Sequence, residues 1–372
     1  MIRFSQIRKY HILITGSSGF IGSKSVAALA NRNHKICGID IKSPSKFMFD
    51  ISAKNPNIKL ITADINNKES LMQTLNKYID QNGNLDYIIH YASYWNYKLL
   101  DDIGNYQLNI TSTKNLLDIA NKYKIKRFIF ASSVEALPSV GTNLDCFRAD
   151  QHIHPYGWSK AVIENFLINN GNNGNNISIV RIGGVFSDWC ELPPLYWLIN
   201  RWSQDNILGR IIPGAGLTGI PFIHRDDLIE LMEKIMDRND RLDKCDIFMA
   251  AGVPKGSLEI STTHIKLFSI IRNQLGLNAK PVMVNKNIVK LGLLMENMIG
   301  MAPSEQAWML RHVDSSNLDT EHIKCTAELL DWTQKIRIED HLPFMLKSFV
   351  EQKEKWYELQ IKRENHDYSY DE

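Results

Sequence analysis

The sequence predicts an α/β fold organised on a doubly wound parallel sheet, and three observations carry that expectation. Short apolar runs alternate with stretches of helical periodicity through the first half of the chain, the pattern of repeated strand–helix–strand units. The first run, Ile12-Leu13-Ile14, passes through a turn holding Gly16, Gly19 and Gly22 into a helical pattern with Val26, Ala27, Leu29 and Ala30 apolar. The runs end in small, polar or acidic residues, as suits a parallel sheet that meets its ligand at the carboxyl ends of its strands.

The glycine turn reads Thr15-Gly16-Ser17-Ser18-Gly19-Phe20-Ile21-Gly22. Glycines let the backbone turn sharply and approach a pyrophosphate, whose charge the following helix N-terminus receives. The spacing is G-x-x-G-x-x-G, not the commoner G-x-G-x-x-G, and a plain turn is the alternative reading. The second run, Lys35 to Asp40, ends in an acid 18 residues after Gly22. A carboxylate there can accept hydrogen bonds from the adenosine ribose hydroxyls and repels a 2′-phosphate, which predicts NAD over NADP. Lys42 and Lys46 weigh against that preference.

A third strand is expected over Ile58 to Ile65, then a helix capped by Asn66 or Asn67 that runs to about Asp80. Asp86 to Ser93 reads as the fourth strand, Ile103 to Tyr123 as a helix, and Arg127 to Ser133 as the fifth strand. Pro155 opens a helix on which Tyr156 and Lys160, four residues apart, share a face. Asn169 to Asn176, NNGNNGNN, reads as a polar surface loop before the sixth strand, Ile177 to Ile182.

After Gly183-Gly184 the alternation fades. The stretch from Trp189 to Trp202 is aromatic and punctuated by proline; it serves either a core or the wall of a substrate pocket. Pro221 to Leu228 reads as a strand entering a helix, Asp246 to Ala251 as another strand, and the chain from Ser261 as mainly helical. Pro343 marks a helix start, with an amphipathic run to about Lys362 and a polar tail beyond. The expected division is a cofactor-binding domain over 1–184 and a smaller, mostly helical substrate region over 185–372, interleaved with the first around 217–252.

Totals narrow the function. Forty-three basic against 41 acidic residues leave a net charge of +2, which advertises neither nucleic acid nor an acidic membrane surface. The five cysteines form no C-x-x-C pair, so no zinc knuckle or disulfide framework is expected and a reduced, cytoplasmic setting is. The N-terminus lacks a secretory apolar core, and the most apolar stretch, Ile288 to Met301, is broken by Lys290, Glu296 and Asn297. It reads as a helix partly buried in a globular domain.

Taken together, these motifs resemble the extended short-chain dehydrogenase/reductase family, which includes NAD-dependent epimerases and dehydratases, over roughly the first 230 residues. The resemblance implies a Rossmann-type sheet. Gly16, Ser18, Gly19, Phe20, Ile21 and Gly22 look like its cofactor loop, Asp40 its ribose acid, and Asp64-Ile65 the pair beside the adenine. Tyr91-Ala92-Ser93 resembles the strand-four cofactor contact, and Gly183 falls at the cofactor end of strand six. Ser133, Tyr156 and Lys160 resemble the catalytic Ser-Tyr-Lys set, and Asn109 the helix asparagine that organises a proton relay. Phe222 to Asp227 looks like the late strand-to-helix segment.

The residue types suit the chemistry. A tyrosine near pKa ~10 is a poor base at neutral pH, and a lysine on the same helix face favours its phenolate. The expected function is therefore an NAD(P)-dependent oxidoreductase or epimerase acting on a secondary alcohol or ketone, with no metal. The departures concern the substrate. Gly184 stands where nucleotide-sugar members carry asparagine, and Arg311-His312-Val313-Asp314 is a poor match to a diphosphate-binding arginine motif. Ser133-Val134-Glu135 lacks the dehydratases' middle acid, which disfavours a 4,6-dehydratase. These departures and the tryptophans point to a small-molecule substrate other than a typical nucleotide sugar. The alternatives are a nucleotide-sugar 4-epimerase, a non-catalytic dinucleotide-binding scaffold or sensor, and a membrane-surface protein. A homodimer paired through the helices near 103–123 and 155–170 is the default that the resemblance implies.

Overall fold

A computed structural model describes residues 8–95, 102–137, 155–189, 193–217, 219–251, 262–299 and 320–364. The arginine motif at 311–314, Cys146, Cys190 and the polar tail from 365 onward lie outside the described residues.

The strands form where the apolar runs stand: β1 (His11–Thr15), β2 (Lys35–Asp40), β3 (Ile58–Thr62), β4 (Tyr87–His90), β5 (Arg127–Ser133) and β6 (Ile177–Ile182). Four short strands follow, β7 (Gly184–Phe186), β8 (Ile211–Pro213), β9 (Gly219–Ile220) and β10 (Phe222–His224), and then β11 (Cys245–Ala250). The central sheet has seven strands in the order β11-β6-β5-β4-β1-β2-β3, and all its pairings are parallel. The order reverses between β1 and β4, which is where a doubly wound sheet opens a crevice.

Both faces of the sheet are covered, so its strands are apolar on both sides. Ile12 and Ile14 of β1 enter one core, and Leu13 enters the other. Local signals start the helices. α1 (Phe20–Asn31) begins at Gly19, and α2 (Lys46–Lys54) is capped by Ser45, whose hydroxyl accepts from the Met48 amide. α3 (Lys68–Asn82) is capped by Asn67, not Asn66, and α4 (Ile103–Lys122) by Asp102. α2 has no counterpart among the expected helices; its nine residues bury only Met48, too short a run to stand out.

Two further expectations need correction, and between them the open choice for the aromatic stretch resolves. The asparagine-rich stretch is not all loop: α5 (Pro155–Asn172) runs three residues past Asn169. Ile163 and Leu167 bury its face, Gly171 packs so closely on Cys245 that a Cβ would lie 2.4 Å from the cysteine's Cβ, and Asn170 donates to the Phe166 carbonyl. Packing overrides the poor propensity of Asn and Gly. The aromatic stretch feeds a core: Tyr196 and Trp202 of α6 (Pro193–Trp202) are buried, and the Trp202 indole donates to the Ile211 carbonyl at 3.1 Å.

After α7 (Arg225–Asp237) come β12 (Thr262–Thr263), α8 (His264–Gln274), β13 (Val282–Val284), α9 (Lys286–Met298) and α10 (Thr320–Leu330). α11 (Ile338–Glu351) and α12 (Lys353–Glu364) close the described chain. The second correction is here: Pro343 lies inside α11, which starts at Ile338, and the expected single run is broken at Gln352. Leu342, Met345, Leu346 and Phe349 are buried in the core that holds Trp202 and Trp356, and this packing carries the helix across its proline. α9 buries Leu293 and leaves Ile288, Leu291, Met295 and Met298 exposed. No helix among the described residues is long and apolar enough to cross a membrane.

Candidate active site

The glycine turn is folded tightly on itself at the β1–β4 crevice. Gly16 has φ +71°, and a Cβ there would stand 2.7 Å from the Ala92 amide nitrogen. A Cβ on Gly22 would lie 2.0 Å from the Gly16 carbonyl oxygen, and one on Gly19 3.2 Å from it. The close approach brings the start of α1 hard against the ends of β1 and β4. Gly19 supplies no side-chain cap and the first turn holds no acid, so the amide end of α1 stays available to an anion. The half-buried Phe20 and Ile21 form that turn, and the Arg225 guanidinium lies 5.5 Å from the Phe20 ring.

The acids line up along the same edge. Asp40 accepts from the Ser18 amide at 2.9 Å and from the Lys42 amide at 3.0 Å, tying the end of β2 to the glycine turn. Asp64 is exposed and turns back on the Asn66 amide, while the Ile65 carbonyl accepts from Asn115 at 3.0 Å. After β4, the Tyr91 hydroxyl accepts from Ser25 at 3.2 Å, the Ala92 amide faces the Thr15 hydroxyl at 3.4 Å, and the Ser93 hydroxyl donates to the Tyr94 carbonyl. Gly183 joins β6 to β7, where a Cβ would sit 2.2 Å from the Pro221 carbonyl oxygen; that approach is what requires glycine there.

Across the crevice, Ser133 ends β5, and its hydroxyl accepts from the Glu135 amide at 3.2 Å. Tyr156 is half-buried in the first turn of α5. One turn on, Lys160 is only 2% exposed. Its Nζ donates to the Ala131 carbonyl at 2.8 Å and lies 4.6 Å from the Phe130 ring centre and 5.5 Å from that of Tyr156. Burial pushes this amine down to about 7, against a pull upward from Glu164. Asn109 is buried on α4. Its amide donates to the Tyr94 carbonyl at 2.9 Å and to the Ser159 hydroxyl at 3.3 Å, and its Oδ1 accepts from the Tyr94 amide at 2.6 Å. It thus clamps the exit of β4 to α5.

The family model described as "NAD dependent epimerase/dehydratase family" matches residues 12–251. The chain belongs to this family. A UDP-glucose 4-epimerase from Caenorhabditis elegans is 29% identical over 191 residues, covering 46% of this chain and 52% of that protein. The chain thus spans about half the length of that curated relative. A UDP-N-acetyl-alpha-D-glucosaminuronate decarboxylase from Bacillus cytotoxicus is 27% identical over 62% of this chain and 72% of its own. A 3-beta-hydroxysteroid dehydrogenase from Mycolicibacterium neoaurum is 23% identical over 47% of each chain. In fold, the chain resembles the crystal structure of UDP-glucose 4-epimerase with UDP-glucose from Thermotoga maritima. The TM-score is 0.63 at 21% identity, with 92% of this chain and 99% of that one covered.

The residues present fit the cofactor that names this NAD-dependent family: the turn would be filled by any Cβ at Gly16 or Gly22, and the helix behind it has neither cap nor acid. Beside this cradle the structure adds buried polar groups that motif reading passed over. Glu164, fully buried on α5, accepts from Arg181 of β6 at 2.9 Å and from the Ser132 hydroxyl. An arginine inside the apolar strand Ile177-Ser178-Ile179-Val180-Arg181-Ile182 was the legible signal, since such a charge needs a carboxylate partner. His90 closes β4 with ring nitrogens 2.7 Å from the Thr15 hydroxyl and 3.1 Å from that of Thr113. Burial pushes its imidazole down to about 3, with Lys160 adding to the effect, so the ring is neutral.

Proposed function

We propose that this chain is an NAD-dependent oxidoreductase or epimerase that interconverts a secondary alcohol and a ketone at one carbon of a small-molecule substrate, through Ser133, Tyr156 and Lys160. The observation that carries this reading is Lys160, a fully buried amine 5.5 Å from the Tyr156 ring and held against the Ala131 carbonyl beside the end of β5. Relatives named for 4-epimerisation of UDP-glucose and for dehydrogenation of a 3-beta-hydroxysteroid support it.

In this reading the cofactor loop, Gly16 to Gly22, receives the pyrophosphate on the amides of α1, and Asp40 accepts from the adenosine ribose. Asp64 and Ile65 flank the adenine, while Tyr91, Ala92, Ser93 and Gly183 line the path to the nicotinamide. Bound NAD supplies a hydride acceptor and donor. Tyr156 removes the hydroxyl proton of the alcohol as a phenolate, and returns it in the reverse direction. The Lys160 ammonium favours that phenolate by charge. Ser133 donates to the substrate oxygen and holds it at Tyr156. Asn109 fixes the β4 exit against the helix that carries Tyr156 and Lys160.

The substrate is not a typical nucleotide sugar in this reading. Gly184 in place of asparagine supports it: a Cβ there would meet the Phe222 ring at 2.9 Å, leaving no room for a side-chain amide. The tryptophans no longer support it, because Trp202 is core and Trp189 and Trp197 pack against that same core. A homodimer through α4 and α5 is supported by the exposed Ile103 and Leu108 on α4.

Tyr156→Phe is the test. The variant should bind NADH as the wild type does, by nicotinamide fluorescence, and lose turnover on any substrate found in a panel of secondary alcohols, ketones and UDP-sugars. Retained turnover would refute the mechanism. Epimerisation of UDP-galactose at an ordinary rate would refute the substrate reading while leaving the mechanism standing.

A further inference from the structure

Three residues outside the Ser-Tyr-Lys site converge at the ends of β7 and β10, a two-stranded sheet apart from the central one. Asp188 lies two residues past β7, His224 ends β10, and His341 stands in the first turns of α11. β7 and β10 pair in parallel with Phe186 opposite His224, so the two strand ends are brought side by side by the fold alone. The His341 Nε2 and the Asp188 Oδ1 are 2.7 Å apart, and the two imidazole rings meet edge to face at 5.3 Å. One ligand-capable atom from each of the three residues lies within 4.8 Å of the others.

His224 adds the observation that points to a ligand. Its side chain is 6% exposed, and Nε2 is buried without a hydrogen-bond partner. A buried ring nitrogen left unmet costs on the order of 1–3 kcal/mol, so its persistence calls for an occupant.

We propose that Asp188, His224 and His341 form a binding site for a divalent transition-metal ion, with zinc as the representative ion. Two imidazoles and a carboxylate are a donor set that such ions favour over calcium or magnesium. Ligands on a tetrahedral ion at about 2.1 Å stand roughly 3.4 Å apart, so the hydrogen-bonded Asp188–His341 pair opens slightly and His224 closes on it. With the ion on Nε2, the ring proton moves to Nδ1. There the Asp226 carboxylate, 3.9 Å away, becomes its acceptor, in place of the present 3.2 Å bond from the Asp226 amide. Histidine ligands commonly donate their second nitrogen to a carboxylate in this way. Three protein ligands leave one position open, on the side of the half-exposed Asp188. The ion ties α11 to the strand ends across 153 residues of chain, and the Phe186 and Phe344 rings both contact the His341 ring.

The experiment is calorimetric titration of the EDTA-stripped full chain with zinc chloride, paired with thermal unfolding. The wild type is expected to bind one zinc ion per chain and to gain thermal stability with zinc in excess. Asp188→Asn, at an exposed position, and His341→Asn, at a partly buried one, are expected to fold as the wild type does without metal, bind at least about tenfold more weakly and lose the stabilisation. His224→Gln should abolish binding, with its metal-free melting curve reporting whether it folds. No binding at micromolar zinc overturns the proposal. So does binding that both Asp188→Asn and His341→Asn leave intact, since the ion would then sit on other histidines.

Discussion

Glu164→Gln tests the buried polar network behind Lys160. In the wild type the Glu164 side chain is fully buried and that of Arg181 is 2% exposed. The Arg181 Nε lies 3.3 Å and 3.2 Å from the two carboxylate oxygens, its terminal nitrogen donates at 2.9 Å, and the Ser132 hydroxyl fills a further lone pair. The substitution keeps the shape but deletes the carboxylate charge that faces the buried Arg181 guanidinium. Breaking one side of a buried pair costs about 3–5 kcal/mol, mostly as the desolvation of the charge left behind. Glutamine retains one acceptor oxygen, which places the loss near the lower end, about 3 kcal/mol. Removing both charges in Glu164→Gln/Arg181→Met should recover much of this, because the buried guanidinium goes together with the carboxylate that faces it. The assay is urea unfolding followed by circular dichroism, comparing midpoints at constant slope. A loss below about 1 kcal/mol for Glu164→Gln, or a double variant no more stable than the single one, would refute the claim that pairing offsets burial here.

Other perturbations probe the cofactor edge and the lysine. Gly22→Ala forces a Cβ to within 2.0 Å of the Gly16 carbonyl, so the turn must open; NADH affinity should collapse and the melting temperature fall by the equivalent of about 1–3 kcal/mol. Asp40→Ala removes both the proposed ribose acceptor and the 2.9 Å anchor on the Ser18 amide. NADH should bind at least about tenfold more weakly, the scale of one lost charged hydrogen bond, and the NADPH-to-NADH preference should shift toward NADPH in a fluorescence titration. Lys160 is pushed from its ordinary 10.5 down to about 7 in the folded chain. Between those pH values the unfolded chain holds the extra proton, so this group makes stability rise with pH, and its full burden is felt below pH 7. Lys160→Met should therefore be more stable than the wild type at pH 6, with a gain that shrinks by ~1.4 kcal/mol per pH unit between 7 and 10.5. A gain that stays constant with pH would count against the buried amine.

Much of this protein could be read from its sequence. β1 to β6 lie where the short apolar runs stand, because a strand covered on both faces must be predominantly apolar. The glycine turn and Asp40 were legible for a similar reason: only glycine admits the backbone approaches at Gly16 and Gly22, and an acid at a strand end stands out from apolar neighbours. Tyr156 and Lys160 were placed on one face by helical spacing alone. Tertiary structure decided what local pattern cannot encode. Whether Trp202 walls a pocket or fills a core depends on elements 60 and more residues away, such as Phe268 and Trp356. Helix α5 continues into an asparagine-rich tract because Gly171 meets Cys245 of a distant strand. Asn109 holds the Tyr94 backbone, and Glu164 finds Arg181, only once α4, α5 and β6 are packed. Asp188, His224 and His341 meet through a strand pairing and a helix docking that no spacing in the chain announces. Periodicity records which side of an element faces inward; what that side meets is set by burial summed over the whole fold.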